Sequence, residues 1–563
     1  MSKNQKLELT WYGKDEELNI EPRILLENKE LSNTAQDENT ENMLIHGDNL
    51  LTLKSLEQNY SGRIKCIYID PPYNINAAGV PYNDNIEHSL YLTLMRERLR
   101  ILRNLLKKDG LIYISINYEE MFHLKLLCDE IFGKNNFVNI ICIKTATTGS
   151  FRAINECPVN ICEYILVYAR NKIFSKQNPV YVEASYSEDY DSYIENFDKP
   201  IEQWCMKKID DKIYEIFNCA NVNEFKQKFG DAWKTIRHIE KEKFARSHAD
   251  SVCSLNTLQK PSLSVQMVIE KSKENKGKFY YVKRENKDPI VVYNGRTLAF
   301  YKKKLRKING KLVPTEIITN IWTDISYLSL GVEGNITFVN SKKPEKLLER
   351  ILLLSTQPGD FVLDSFLGSG TTCAVAHKMG RKWIGVEMGD HAYTHCKVRL
   401  DKVISGEDLG GITKAVNWQG GGGYKFYELA PTLIKEDSFG QAVINPEYNA
   451  EMLAAAVAKY EGYFYAPDGQ LFWKQSNNRG KSYLYVTTNH VTIDIINAIK
   501  ADMQDDEFVL IVCKSYDQSC VGNKNISIKK MPQSLLENCE FGKDDYSLNI
   551  VCPPEYKETD DNE

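Results

Sequence analysis

Two short strings hold the residue types that group-transfer chemistry needs. The first, Ile67-Tyr68-Ile69-Asp70-Pro71-Pro72-Tyr73, closes an apolar run with a carboxylate, a proline pair and an aromatic ring. The exocyclic amine of a nucleobase is a poor nucleophile, because its lone pair is delocalised into the ring. Acceptors facing both amine hydrogens favour a pyramidal nitrogen and stabilise the positive charge that develops on it. The Asp70 carboxylate and the Pro71 carbonyl are two such acceptors. Pro71 and Pro72 lack N–H groups and stiffen the backbone. Tyr73 offers a ring face, on which a base stacks for ~1–3 kcal/mol. Without that chemistry the string is a stiff turn with a capping Asp.

The second string is Asp364-Ser365-Phe366-Leu367-Gly368-Ser369-Gly370-Thr371-Thr372. It lies between a predicted strand, FVLD, and a predicted helix, TTCAVAHKM. Glycines there allow a sharp turn and close approach of main chain to a ligand at a helix N-terminus. Glu387 ends the next predicted strand, 17 residues after Gly370, where an acid accepts hydrogen bonds from ribose hydroxyls. This string alone leaves NAD and S-adenosylmethionine both open. The Asp70–Tyr73 string favours the second.

The elements that must carry these strings follow from the apolar pattern. MLIHGD, IKCIYID, LIYISI, FVNIICIK and EYILVYAR each read as a buried strand between polar or turn residues. Amphipathic segments follow the second and third of these runs. One runs from Leu90 to Lys107 and stops at Gly110, the other from Tyr118 to Phe132 and stops at Gly133. Strands alternating with helices imply a doubly wound α/β sheet. FVNIICIK and EYILVYAR, with no clear helix between them, read as an antiparallel hairpin at its edge. The pattern fades after about Asn171 and returns with the helix EKLLERILLLS beyond Pro344. Four successive glycines, Gly420–Gly423, read as a junction to a last α/β segment. The chain thus reads as an arm (1–40), a first core half (41–175), an insert (176–314), a second core half (315–430) and a C-terminal domain (431–563).

Composition narrows the partners. The 563 residues carry a formal charge of −5, yet Ile201–Lys311 holds 25 Lys+Arg against 13 Asp+Glu. Local basic density speaks for polyanion contact more directly than the total. Lys302, Lys303, Lys304 and Lys307 are the densest run and the candidate phosphate contacts; a solvated lysine-rich surface is the bland alternative. Tyr280, Tyr281, Tyr293 and Tyr301 are interleaved with the cations, as suits bases beside phosphates. The fourteen cysteines form no CxxC pair, so neither a metal nor a disulfide framework is expected. A polar start and the lack of any run near the ~20 apolar residues of a membrane helix predict a cytoplasmic protein without signal peptide or membrane span.

DPPY preceding a separate FLGSGTT string resembles the amino-methyltransferases of DNA in their permuted, beta-class arrangement. Residues 88–137, WTDI at Trp322–Ile325, KKPEKLLERIL from Lys342 and NWQGGGGYKFYEL from Asn417 resemble, more narrowly, the modification subunit of type III restriction–modification systems. The resemblance spans residues 43–175 and 315–430, and the C-terminal segment loosely. It implies a circularly permuted, Rossmann-like class I methyltransferase sheet, with an inserted target-recognition domain and a C-terminal α/β domain. FVLD would be the first strand, WIGVE the second, MLIHGD the third, IKCIYID the fourth and LIYISI the fifth.

The resemblance also implies S-adenosylmethionine as cofactor and transfer of its methyl group to N6 of a flipped adenine in double-stranded DNA. Asp70, Pro71, Pro72 and Tyr73 would be catalytic. Asp364, Phe366, Gly368, Ser369, Gly370, Thr371 and Glu387 would hold the cofactor, with Asp48 at its adenine and Ser341 and Lys343 at its methionine carboxylate. A homodimer and a helicase–nuclease restriction subunit would be the protein partners. Cytosine-N4 transfer, whose motif more often begins with Ser, and a non-catalytic DNA-binding subunit are the alternatives. A nicotinamide oxidoreductase would leave DPPY and the basic insert unexplained. The chain departs from the family pattern in having Asn117 where an acid usually follows the fifth strand. It also has Cys162-Glu163-Tyr164 where His-Glu-Tyr is common; neither departure is expected to reach DPPY or FLGSG.

Overall fold

The computed structural model describes residues 8–73, 88–146, 160–284, 287–308, 310–328, 330–338, 342–536 and 541–542. The chain divides into two compact units, residues 1–178 with 319–563, and Pro179–Ile318.

The first unit is built on a ten-stranded sheet. Its strands are β1 (Leu25–Glu27), β2 (Met43–His46), β3 (Ile64–Ile69), β4 (Leu106–Ile116), β5 (Phe137–Lys144), β6 (Cys162–Ala169), β7 (Ile321–Trp322), β8 (Phe361–Asp364), β9 (Lys382–Glu387) and β10 (Lys425–Leu429). They lie in the order β1-β10-β2-β9-β8-β3-β4-β6-β5-β7. From β10 to β4 every neighbour is parallel. Strands buried on both faces must be apolar throughout, which is why MLI, IKCIYI and FVLD read as continuous apolar runs rather than alternations. Helices α1 (Asn49–Tyr60), α2 (His88–Leu105), α3 (Tyr118–Cys128), α4 (Glu345–Ser355), α5 (Thr371–Lys378) and α6 (Val398–Ser405) carry the crossovers and flanks.

The strand expected as first, β8, lies between the expected second, β9, and the expected fourth, β3. Strand order therefore reverses at the β8–β3 seam, and in open α/β sheets ligands bind beyond the strand ends at such a reversal. Asp364 ends β8 and Asp70 directly follows β3. The sheet thus brings together two strings that lie about three hundred residues apart in the chain.

Four features differ from the expectations. β5 and β6 do pair antiparallel, but the sheet edge is taken by β7, parallel to β5. Residues 1–40 are not only an arm, because Leu25–Glu27 pairs antiparallel with Leu429–Tyr427. The Gly420–Gly423 run is packed rather than a free junction. The Gly421 N–H donates to the Ile404 carbonyl at 2.8 Å and its own carbonyl meets His377 Nε2 at 2.8 Å, while the Gly423 carbonyl accepts from Thr40 and Asn42. The C-terminal segment, expected as a domain of its own, falls within the first unit. It adds a five-stranded sheet, with Ser482–Val491 and Phe508–Tyr516 parallel at its centre and helix Ala450–Tyr460 in its core.

The second unit carries a six-stranded and a three-stranded sheet with four helices, of which Trp233–Ser247 is the longest. An aromatic core around Tyr186, Tyr190, Phe225, Phe244 and Tyr301 holds it.

Beneath the β8–α5 turn lies a charge network shut off from water. Lys378 Nζ sits 2.8 Å from Glu345 Oε2 and 2.7 Å from Asp408 Oδ2, and Arg399 donates to Glu345 Oε1 at 2.8 Å. Arg399 also donates to the Thr371 hydroxyl at 2.6 Å and to the Ser369 carbonyl at 3.3 Å. Two cations face two anions, so the cluster is formally neutral. Removing one partner leaves a buried charge uncompensated, at a cost of ~3–5 kcal/mol. Lys378→Met should therefore lower stability by about that amount in urea titration. Lys346→Met, an exposed lysine 3.6 Å from Asp324, should change it by less than ~0.5 kcal/mol.

Candidate active site

Asp70 leaves the buried end of β3 and is held by its neighbours. The Tyr73 hydroxyl donates to Asp70 Oδ1 at 2.8 Å and lies 3.0 Å from Glu163 Oε2. Lys343 Nζ donates to the Tyr73 oxygen at 2.6 Å and to Glu163 at 2.8 Å, and stands 3.4 Å from Asp70 Oδ1. It also lies 4.8 Å from the centroid of the Tyr73 ring. Asp70 Oδ2 and the Pro71 carbonyl make no hydrogen bond among the described residues. Both acceptors that the sequence singled out are thus open to a donor. Burial pushes the Asp70 carboxyl above the usual range, while the Lys343 ammonium pulls the other way. The Tyr73 phenol is driven far up by burial and by the carboxylates beside it, so it stays a donor.

Two members of this cluster escaped sequence reasoning, and one arrived in an unexpected place. Glu163, in β6, reaches the DPPY string, whereas the Cys162-Glu163-Tyr164 segment was expected to touch neither motif. Tyr327, whose buried hydroxyl makes no hydrogen bond, lies within the electrostatic reach of Lys343, Glu163 and Asp70. Lys343, expected at the methionine carboxylate, sits on the Asp70 side. No sequence spacing signals these residues, because sheet order alone brings β6 and the start of α4 to the end of β3.

The second string forms the turn between β8 and α5. Asp364 is 2% exposed. It locks the turn by accepting the Phe366 N–H at 2.9 Å and the Thr372 hydroxyl at 2.5 Å. Burial holds its carboxyl up to about 7 despite these two donors. Glu387 ends β9 and accepts the Gly368 N–H at 2.7 Å on one oxygen and the Gly389 N–H at 3.1 Å on the other.

The two glycines differ. Both have positive φ, +56° at Gly368 and +79° at Gly370. A Cβ on Gly368 would meet only the Phe338 ring, at 3.9 Å, whereas one on Gly370 would fall 3.2 Å from Cys396 Cα. Gly368 therefore leaves space over its Cα, although its N–H is committed to Glu387 and its carbonyl accepts from Cys396 Sγ at 3.2 Å, and Gly370 is a packing residue. The Ser369 hydroxyl faces the Thr371 hydroxyl at 3.2 Å, and Thr371 is held by Arg399, so both side chains support the turn from below. Open space over Gly368, a helix N-terminus and an acid beside them fit a nucleoside ligand such as S-adenosylmethionine.

Asp48 takes the structural role of its two possible ones. Its Oδ1 caps α1 by accepting the Leu51 N–H at 3.0 Å, and its Oδ2 stands 3.3 Å from Arg98. It is 4% exposed. Asn117 likewise caps α3, accepting the Glu120 N–H at 3.4 Å, a position where Asn serves as well as Asp. At the ends of β2 and β10, His46 Nδ1, Glu428 and the Tyr393 hydroxyl meet at 2.7 to 3.0 Å, a polar cluster that no motif announced. Ser341 lies outside the described residues.

In the second unit the four lysines are on the surface, Lys302–Lys304 in a short helical turn and Lys307 in the strand that follows. Lys302 pairs with Asp250 at 2.7 Å and Lys303 with Asp288 at 2.9 Å, all four groups exposed. Such pairs contribute little and exchange readily. The interleaved tyrosines are mostly not a stacking platform. Tyr301 is 1% exposed, Tyr293 stacks on Phe279 at 4.4 Å and Tyr280 packs against the cluster around Val282. Only Tyr281 of the four is exposed.

Comparison with known proteins agrees with this geometry. A family model described as DNA methylase matches residues 64–397. The chain is 36% identical over 418 residues to the probable type III restriction-modification enzyme HindVI Mod subunit of Haemophilus influenzae, covering 69% of this chain and 54% of that one. It is 29% identical over 424 residues to the type III EcoPI Mod subunit of Escherichia phage P1, covering 66% and 60%. To the type II methyltransferase M.EcaI of Enterobacter cloacae it is 26% identical over 365 residues, covering 62% and 66%. The match thus spans little more than half the length of the first of these relatives. The matched span includes both strings and the β8–β3 seam that joins them, and the chain belongs to the DNA methylase family.

Proposed function

We propose that the chain transfers a methyl group from S-adenosylmethionine to N6 of adenine in duplex DNA, as the modification subunit of a type III restriction–modification system. The observation that carries this reading is the pair of open acceptors, Asp70 Oδ2 and the Pro71 carbonyl, one strand away from the Phe366–Gly370 turn. The relatives named as type III restriction-modification Mod subunits support the system and a restriction subunit as partner.

In this reading the Gly368 main chain and Glu387 hold the nucleoside, with Phe366 beside it. When bound, S-adenosylmethionine supplies a methyl group on sulfonium, which is electrophilic without further activation. Asp70 and the Pro71 carbonyl would accept hydrogen bonds from the two amine hydrogens and stabilise the positive charge on nitrogen as the N–C bond forms and the C–S bond breaks, after which the surplus proton leaves to water. Tyr73, fixed through its hydroxyl, presents its ring to the base. The base must first leave the stack, which costs a few kcal/mol that protein contacts offset. Lys343 keeps Asp70 ionised.

Asp70→Ala should abolish methylation of DNA while leaving S-adenosylmethionine affinity within about threefold, measured by calorimetry. Near-normal turnover in that variant would refute the assignment. Lys343→Met removes the cation that lowers the Asp70 pKa. The Asp70 pKa should then rise, and the acid limb of the pH–kcat profile should move to higher pH. An unmoved limb would separate Lys343 from Asp70 ionisation.

For the insert, phosphate contacts by Lys302, Lys303, Lys304 and Lys307 would each contribute about −0.9 to the log–log salt slope. The quadruple Gln variant should bind DNA more weakly with a flatter slope, at unchanged cofactor affinity. An unaltered slope means that these lysines face only water.

A further inference from the structure

Away from the methyl-transfer site, three potential ligands converge where the start of α2 meets the first turn of α3. Glu120 is fully buried, and both of its oxygens face imidazole nitrogens. His88 Nδ1 lies 2.5 Å from Oε1 and His123 Nδ1 lies 3.3 Å from Oε2. The two rings are 4.8 Å apart and tilted by 49°. The three donor atoms all lie within 4.8 Å of one another. Asn117 caps α3 so that Glu120 enters its first turn and points inward, and His123, one turn on, shares its face. The His123 Nδ1 is buried and makes no hydrogen bond.

Two imidazoles and a carboxylate brought to one point are a ligand set for a divalent ion. Bonds near 2.1 Å in a tetrahedral site put neighbouring ligand atoms roughly 3.4 Å apart. The observed 2.5 Å and 3.3 Å contacts and the 4.8 Å limit straddle that separation. Both histidines are partly exposed, 60% and 40% at the side chain, which leaves the remaining coordination position to water.

We propose that His88, Glu120 and His123 bind one divalent transition-metal ion of the zinc type. Metal ligands bind in their deprotonated forms, so binding weakens as pH falls. It ties the first residue of α2 to α3. It takes no part in methyl transfer, because its ligands belong to neither string of the active site.

The test uses the full-length protein without an affinity tag, stripped with chelator and titrated with Co²⁺ and then Zn²⁺. One Co²⁺ per chain should bind with visible d–d bands of nitrogen and oxygen ligation, and Zn²⁺ should displace it. His88→Ala and His123→Ala, at partly exposed positions, should each weaken Zn²⁺ binding by at least about tenfold with an unchanged circular dichroism spectrum. His490→Ala, an exposed histidine paired with Asp517, should leave binding as it is. No stoichiometric Co²⁺, an affinity unchanged in both variants, or a sulfur-to-cobalt charge-transfer band placing the ion on cysteines would each overturn the proposal.

Discussion

The buried pairing of Lys378 and Arg399 with Glu345 and Asp408 is the constraint on which the rest of the site depends. Its members come from α4, α5, α6 and the segment after α6, so it fixes four separate pieces of chain against one another. A buried network of this kind is weak evidence for stability, since desolvation offsets much of the attraction. Its geometric effect is clearer. Arg399 grips the Ser369 carbonyl and the Thr371 hydroxyl, which sets the turn after β8. Glu345 opens α4 only two residues after Lys343, which reaches Asp70 and Tyr73. One electrostatic cluster thereby registers the nucleoside side of the crevice against the base side.

The turn itself is held by side chains from below and presented by main chain above. Asp364, Ser369, Thr371 and Thr372 are buried, and Phe366 and Gly368 are the half-buried positions of the turn. Main-chain recognition suits a ligand that every member of a fold must accept, because it does not depend on which side chains surround the turn. Specific recognition is then left to other regions of the chain.

Much of this was legible in the sequence because parallel strands buried on both faces leave an unmistakable apolar trace. MLIH, IKCIYI, LIYISI and FVLD all became strands of the central sheet in the expected relation. The Asp70–Tyr73 and Asp364–Gly370 strings were legible because each is continuous. What was not legible depends on contacts between distant segments. Glu163 and Lys343 are separated by 180 residues, yet their side chains meet at 2.8 Å. Asp48 has a purely local use as well, because Asp at a helix start satisfies the N-cap, as it does in α1. The tyrosines of the insert misled because aromatic residues among lysines are also what a small core beneath a charged surface requires, as Tyr301 and Tyr293 show. His88 lies more than thirty residues before Glu120 and His123, on a different helix, so no ligand spacing could announce that cluster.

The charges around Asp70 bear on why a lysine belongs in a site that must stabilise a cation. Asp70 and Glu163 carry two formal negative charges and Lys343 one positive. Lys343 lies against both carboxylates that share the Tyr73 hydroxyl and offsets their mutual repulsion. Counted formally, the cluster holds a single net negative charge before any amine arrives. In the proposed reaction the amine nitrogen gains one unit of positive charge as the new bond forms. That charge completes the neutralisation of the cluster, so the electrostatic gain is realised in the transition state rather than on binding, as acceleration of the chemical step requires.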